Sequence, residues 1–211
     1  MTELAKAPPP ESMRRGRKSR RQDIVNYAAL SFYERGFDRT SVRDIAANAG
    51  MTSGSIFYHF ASKDELLTWV ITEGLKLGHE TAERELIGKT TAIAQYRALI
   101  LGHLKALHDQ RHTHKVSVRE WDKLTEEARA ELKQTNIRYR ERWLAVLAEL
   151  QSDGLLRSDV EIARRMLIAA LNWTLHYRAA DLTDLCALAD RMGAVGLNMD
   201  ADAFRALHQA A

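Results

Sequence analysis

Thr52, Ser53, Ser55, Tyr58 and His59 fall within eight residues and carry hydroxyls, a phenol and an imidazole, with no acid among them. Groups of this kind exchange hydrogen bonds with phosphate oxygens and base edges, and the missing carboxylates spare a polyanion any repulsion. Ile56 and Phe60, four residues apart, would turn the other side of the same helix inward. Thr40, Ser41 and Arg43 lie just ahead and Lys63 just behind. Thr40, Ser41, Tyr58 and Lys63 are expected to hold phosphates. Arg43, Thr52, Ser53, Ser55 and His59 are the candidates for groove contacts, and Arg43 paired bidentate with guanine would contribute about 1 to 3 kcal/mol of discrimination.

The elements that must position these residues are short. Ser41 with Asp44 three residues on reads as a helix N-cap with an acidic partner. Val42, Ile45 and Ala46 form one apolar face, and Gly50 supplies the left-handed residue that ends the helix. A second helix begins at Thr52, and Ser62 with Glu65 reads as a capping box opening a third. Two short helices around a tight turn make a helix-turn-helix that fits a DNA groove.

A basic segment precedes the motif. Residues 1–22 hold seven positive side chains against two negative ones, a net of +5 in a chain whose total is +3, so the rest is close to balanced at about −2. Residues 1–21 read as a disordered basic arm in which Arg17, Lys18, Arg20 and Arg21 would contact phosphates or enter the minor groove.

At 211 residues and 45% hydrophobic content the chain can bury a core and divides into one small and one larger unit. The single Cys186 excludes an internal disulfide framework. No apolar run is long enough to span a bilayer and residues 1–22 lack the apolar centre of a signal peptide, so a soluble cytoplasmic protein is expected. All three prolines stand at positions 8–10, which leaves the remainder without the strongest helix breaker. The fold class is therefore all-α: a three-helix helix-turn-helix domain over 22–68 and a larger helical domain over 69–211 for ligand binding and dimerisation. Helices are expected from Ser62 to Glu85, Thr91 to Asp109, His114 to Leu124, Glu126 to Gln151, Val160 to Ala180, Thr183 to Gly193 and from Ala201.

Large side chains cluster among the middle helices: Tyr96, His103, Leu104, Leu107, Trp121, Tyr139, Trp143, Leu147 and Trp173 are the candidate ligand pocket. Ile162, Met166, Ala169, Ala170, Trp173 and Tyr177, followed by Leu182, Leu185, Ala189, Met192 and Val195, repeat at helical spacing as apolar stripes suited either to association or to this subunit's own core, with Leu185, Ala189 and Met192 the expected interface residues of the second. His108, His112 and His114 lack the Cys or carboxylate partners of a metal site and read as a solvated helix end. No nucleophile elbow or phosphate-cradling glycine loop appears, so neither an enzyme, a metal nor a cofactor is expected.

The run Thr-Ser-Val-Arg-Asp-Ile-Ala, then Ala-Gly-Met-Thr-Ser-Gly-Ser-Ile-Phe-Tyr-His-Phe-Ala-Ser-Lys-Asp-Glu-Leu, resembles the DNA-binding domain of the TetR family of bacterial transcriptional repressors. The resemblance covers residues 18 to 70. It implies a homodimer whose penultimate long helices pair as a four-helix bundle, a palindromic double-stranded operator with half-sites one or more helical turns of about 34 Å apart, and control by a small hydrophobic ligand. The family usually carries tyrosine where this chain has Phe57, which removes one phosphate contact. Val-Ser-Val-Arg-Glu-Trp-Asp, Tyr-Arg-Glu-Arg-Trp-Leu-Ala-Val-Leu and Asn-Trp-Thr-Leu-His-Tyr-Arg resemble family members that govern fatty-acid and sterol catabolism and respond to acyl-coenzyme A thioesters. The alternative reading is a TetR-like helical protein without operator binding, acting as a ligand carrier or protein-interaction module.

Overall fold

The computed structural model describes residues 11–210, with side chains from Arg20 onward. Helix α1 (Glu11–Arg35) begins well inside the stretch read as an arm. After Pro10 no proline interrupts, and arginine, lysine, glutamine and methionine all favour helix, so only Gly16 opposes its extension. Residues 1–10 and the side chains of Arg17 and Lys18 lie outside the described residues.

Helices α2 (Val42–Asn48) and α3 (Ser53–Phe57) complete the head. The Ser41 hydroxyl accepts the Asp44 N–H at 3.2 Å while Asp44 Oδ2 accepts the Ser41 N–H at 2.8 Å, a reciprocal cap. Gly50, at φ +62°, turns the chain between them, and Thr52 Oγ1 caps α3 on the Ser55 N–H at 3.2 Å. Ser62 caps α4 (Lys63–Leu86) on the Glu65 N–H, but the Glu65 carboxylate reaches back to the Ala61 N–H and not to that of Ser62, so only half of the expected box forms.

The body is built around α5 (Ala92–Leu107), which is buried on almost every side. Around it stand α6 (Thr113–Arg119), α8 (Ile137–Ser152), α9 (Val160–Trp173), α10 (Leu185–Gly196) and α11 (Ala201–Gln209), while α7 (Glu126–Thr135) leads into α8 from the head's side. Among the described residues there is no strand, and no helix is long and apolar enough to cross a membrane.

Three boundaries differ from the sequence reading. The helix expected from His114 to Leu124 stops at Arg119 and continues as a 3-10 turn, Trp121–Lys123. The helix expected over 126–151 breaks at Asn136, because Leu132 of α7 packs into the head's core while Trp143, Val146, Leu147 and Leu150 of α8 pack into the body's. Helix α9 ends at Trp173 instead of Ala180, where the buried Thr174 hydroxyl donates back to the Leu171 carbonyl and starts a 3-10 turn.

There are two cores, and α4 runs through both. Ile24, Phe32, Ile45, Ile56, Phe60, Leu66 and Leu67 of the head share one cluster with Val116, Leu124 and Leu132. Tyr96, Leu99, Leu104, Trp143, Leu171 and Phe204 anchor the other. Gly74 and Gly78, which weaken α4 by up to about 1 kcal/mol each, are what let α6 lie against it. A Cβ on Gly74 would stand 2.7 Å from the Thr113 carbonyl carbon.

Candidate nucleic-acid interface and effector cavity

The face of α3 opposite Ile56 presents Thr52, Ser55, Phe57 and Tyr58 to solvent, with Ser53 and His59 half-buried at its edges. Tyr58 and His59 meet edge to face, ring centroids 5.2 Å apart. Thr52 and Ser55 hydroxyls are 3.0 Å apart, so the cap and the polar face are one hydrogen-bonded pair. Ser41 and Arg43 are exposed at the start of α2, and Arg20 is exposed on α1.

Three residues expected at that surface do other work. Thr40 is 1% exposed, and its hydroxyl lies within hydrogen-bond reach of the Ser31 and Gly36 carbonyls, so it closes the α1–α2 loop and cannot reach a phosphate. Lys63 Nζ donates to the carbonyls of Phe37 (3.0 Å) and Thr40 (3.1 Å) and sits 4.1 Å from the centre of the Phe37 ring. Two of its three donors therefore tie α4 to that loop. Arg21 stacks over Trp69 at 4.1 Å and Phe60 at 4.7 Å and pairs with Glu65 at 3.4 Å, which draws it inward as a bracket between α1 and α4.

The aromatic residues expected to make one pocket divide among three places. His103, Trp121 and Tyr139 line an inner cavity of about 390 Å³, half open to solvent, between α4, α5, α6, α8 and α9, together with Leu75, His114 and Asn172. His103 is fixed at both nitrogens, Nδ1 3.0 Å from Tyr139 Oη and Nε2 3.0 Å from Asn172 Oδ1. Burial holds its pKa down to about 3 and pushes that of Tyr139 up to about 12, so the floor is neutral. Tyr96, Leu147 and Trp173 line a larger cavity of about 1120 Å³ between α8, α9 and α10, open to solvent to the same degree. Leu104, Leu107 and Trp143 are wholly buried and fill core, because α5 and the inward face of α8 are enclosed by neighbouring helices.

The histidine cluster is not a solvated helix end. His108 Nε2 bonds Thr174 Oγ1 at 2.9 Å, His112 stacks on Tyr33 of α1 at 4.6 Å, and His114 is buried with Nδ1 2.8 Å from the Gly74 carbonyl. His108 thus ties the end of α5 to the turn after α9, while His112 and His114 tie α6 to α1 and α4, and among the described residues no group of side chains could hold a metal ion.

The apolar stripe of α9 is exposed: Met166 at 69%, Trp173 at 64% and Ile162 at 57%, with Ala169, Ala170 and Tyr177 beside them. On α10, Leu185 and Met192 are half-buried against the body core. Ala189 is wholly buried and belongs to this subunit's interior, because α10 turns that position toward α5. Val195, the last residue of the second stripe, is 79% exposed and extends the same apolar surface.

The sequence pattern described as "Bacterial regulatory proteins, tetR family" matches residues 24–69, and that described as "Tetracyclin repressor-like, C-terminal domain" matches residues 89–196. The HTH-type transcriptional repressor KstR2 of Rhodococcus jostii (strain RHA1) is 32% identical over 164 residues, covering 74% of this chain and 76% of the relative. Among solved structures, the superantigen PfiT is 35% identical with a TM-score of 0.69 over 83% of this chain and 94% of that one. AibR, in complex with isovaleryl coenzyme A and operator DNA, is similar in fold at a TM-score of 0.76, with 21% identity over 83% of this chain and 97% of that one. The first pattern covers the helix-turn-helix head and the second most of the body: the chain belongs to the TetR family of bacterial regulatory proteins.

Proposed function

We propose that this chain is a cytoplasmic repressor that binds a two-fold operator as a homodimer and changes its grip when a small hydrophobic effector enters the inner cavity. The observation that carries the reading is the double duty of α6. Val116 is sealed in the head's core, while His114, Ser117 and Val118, on the same seven-residue helix, line the cavity. An effector that shifts α6 must repack the head, because a close-packed core does not absorb displacement smoothly.

The acid-free face of α3 supports DNA as the partner, with Ser41, Arg43 and Arg20 as flanking contacts. The exposed stripe of α9 supports dimerisation, which sets the separation of two heads on the duplex. For the effector, an acyl thioester is the reading favoured by likeness: KstR2 is named a repressor, and AibR was solved with isovaleryl coenzyme A.

The test is selection of duplexes from a random pool by the full-length protein, followed by gel-shift titration with and without acyl-coenzyme A thioesters of graded length. Enrichment of a palindrome whose binding a thioester alters is expected. Failure to enrich any sequence over random duplex at moderate salt removes the repressor reading.

A further inference from the structure

One imidazole in the inner cavity is left with a hydrogen bond to make. His114 is buried on α6, its ring laid over the bare backbone of Gly78, where a Cβ would stand 2.9 Å from Cε1. Its Nδ1 lies 2.8 Å from the Gly74 carbonyl oxygen. A carbonyl only accepts, so Nδ1 carries the proton and the tautomer is fixed. Nε2 is then a bare acceptor, and it is buried with no partner. Burial also pulls the ring's pKa down to about 4, so at neutral pH it gains no second proton.

Nothing on the protein fills the gap. The Ser117 hydroxyl is spent on the His114 carbonyl at 2.7 Å, and His103 is bonded at both nitrogens. A desolvated acceptor without a donor is costly to keep. The complement is an O–H or N–H on a body with an apolar face for Leu75, Val118, Trp121 and Ile168, the wall being shared with the polar Asp122, Asn136 and Asn172.

A second feature of the same cavity is charge at its edge. Arg140 and Arg164 line it, and both pair with Glu161, which also takes Arg165. Asp122 also lines the cavity, so two carboxylates, Glu161 and Asp122, answer three guanidiniums, which leaves an excess of one positive charge. We infer that the cavity takes an amphipathic hydroxy acid, whose hydroxyl donates to His114 Nε2 and whose anionic end meets Arg140 and Arg164. This rests on the reading of the cavity as the effector site and names its ligand class. The anion can be a free carboxylate or the phosphates of a thioester, and the test separates the two.

The experiment is calorimetric titration of the full-length protein with dodecanoate, 12-hydroxydodecanoate, 1,12-dodecanediol and 12-hydroxydodecanoyl-coenzyme A. The hydroxy acid should bind about five- to tenfold tighter than dodecanoate, the margin of one hydrogen bond to a desolvated acceptor, and tighter than the diol. The thioester binding more tightly than the free acid would assign the edge to phosphate, and the reverse to carboxylate. In His114→Phe the margin over dodecanoate should vanish. Should that variant fail to fold, imidazole nitrogen NMR on the unaltered protein decides: Nε2 of His114 should shift with the hydroxy acid and not with dodecanoate. Equal affinity for the two acids, no binding by any probe, or an unmoved Nε2 resonance overturns the inference. Binding with the His114 signature but no change in DNA affinity would instead sink the effector reading and leave this one standing.

Discussion

Gly74→Ala tests the close approach on which coupling depends. The new Cβ would stand 2.7 Å from the Thr113 carbonyl carbon and closer still to its oxygen, and 3.0 Å from His114 Cα. Ordinary contacts begin near 3.4 Å, and the atoms met are backbone, so α6 must move away from α4. Alanine adds helix propensity worth up to about 1 kcal/mol, whereas overpacking against a fixed backbone costs about 1 to 3 kcal/mol. Strain should win by roughly 1 to 2 kcal/mol, which for a chain of this size lowers Tm by about 2 to 8 °C. The same displacement stretches the His114 to Gly74 hydrogen bond and shifts Val116 in the head's core, so operator affinity should fall as well. Thermal unfolding at matched protein concentration and gel-shift titration measure the two effects. A variant at least as stable as the parent, with unchanged DNA affinity, would refute the claim that α6 is held at this distance by the missing side chain.

Lys63→Ala should cost about 1 to 3 kcal/mol of stability by releasing the Phe37 and Thr40 carbonyls. Its salt slope on DNA should stay within about half a unit of the parent's, where loss of a phosphate ligand would remove about 0.9; a full-unit drop would restore the phosphate role. His103 and His114 have pKa values held down to about 3 and about 4 by burial. Between those values and the ordinary 6.5 the unfolded chain binds more protons, so stability is complete above pH 6.5 and declines as pH falls toward 4, by up to about 1.4 kcal/mol per pH unit for each ring. Urea midpoints that stay level from pH 7.5 to 5 would contradict burial of the two rings. Met166→Glu, on an exposed position of α9, should leave the fold intact and shift sedimentation from dimer to monomer; a dimer as tight as the parent's would place the interface elsewhere.

The head was legible because its signals are local. Ser41 with Asp44, Gly50 and Thr52 each act within four residues, and each forms the cap or turn that its type demands. Thr40 and Lys63 were misread because their partners, the carbonyls of Ser31, Gly36 and Phe37, lie nine, four and twenty-six residues away, and no side-chain pattern advertises a carbonyl. The pocket was half legible for a similar reason. Aromatic spacing marks a helix face but not whether a cavity or another helix covers it, so Trp143 and Tyr139 on α8 have different fates. The break at Asn136 followed from two cores competing for one polar run, a tertiary fact. His114 carried one usable signal: glycines four apart on α4 announce that something comes close, though not what.

Coupling between an effector and an operator requires contacts that differ between two states, and the placement of α6 says where they must be. The helix is fastened to the head by Val116, by Arg119 donating to the Tyr33 carbonyl at 3.3 Å, and by His112 stacked on Tyr33. It is fastened to the body by the His114 to Gly74 hydrogen bond and by packing against α4. The residue that enters it, His112, is a non-glycine at φ +61°, a conformation of order 1 kcal/mol or more above its alternatives, kept only because the surroundings enforce it. A ligand that binds one position of α6 tenfold more tightly supplies about 1.4 kcal/mol per subunit, comparable to the strain held at this one residue. In a dimer both heads must fit one duplex, so the two subunits' shifts act on the same operator affinity. A modest preference at the cavity is then enough to change occupancy substantially, and no larger rearrangement of the body is required.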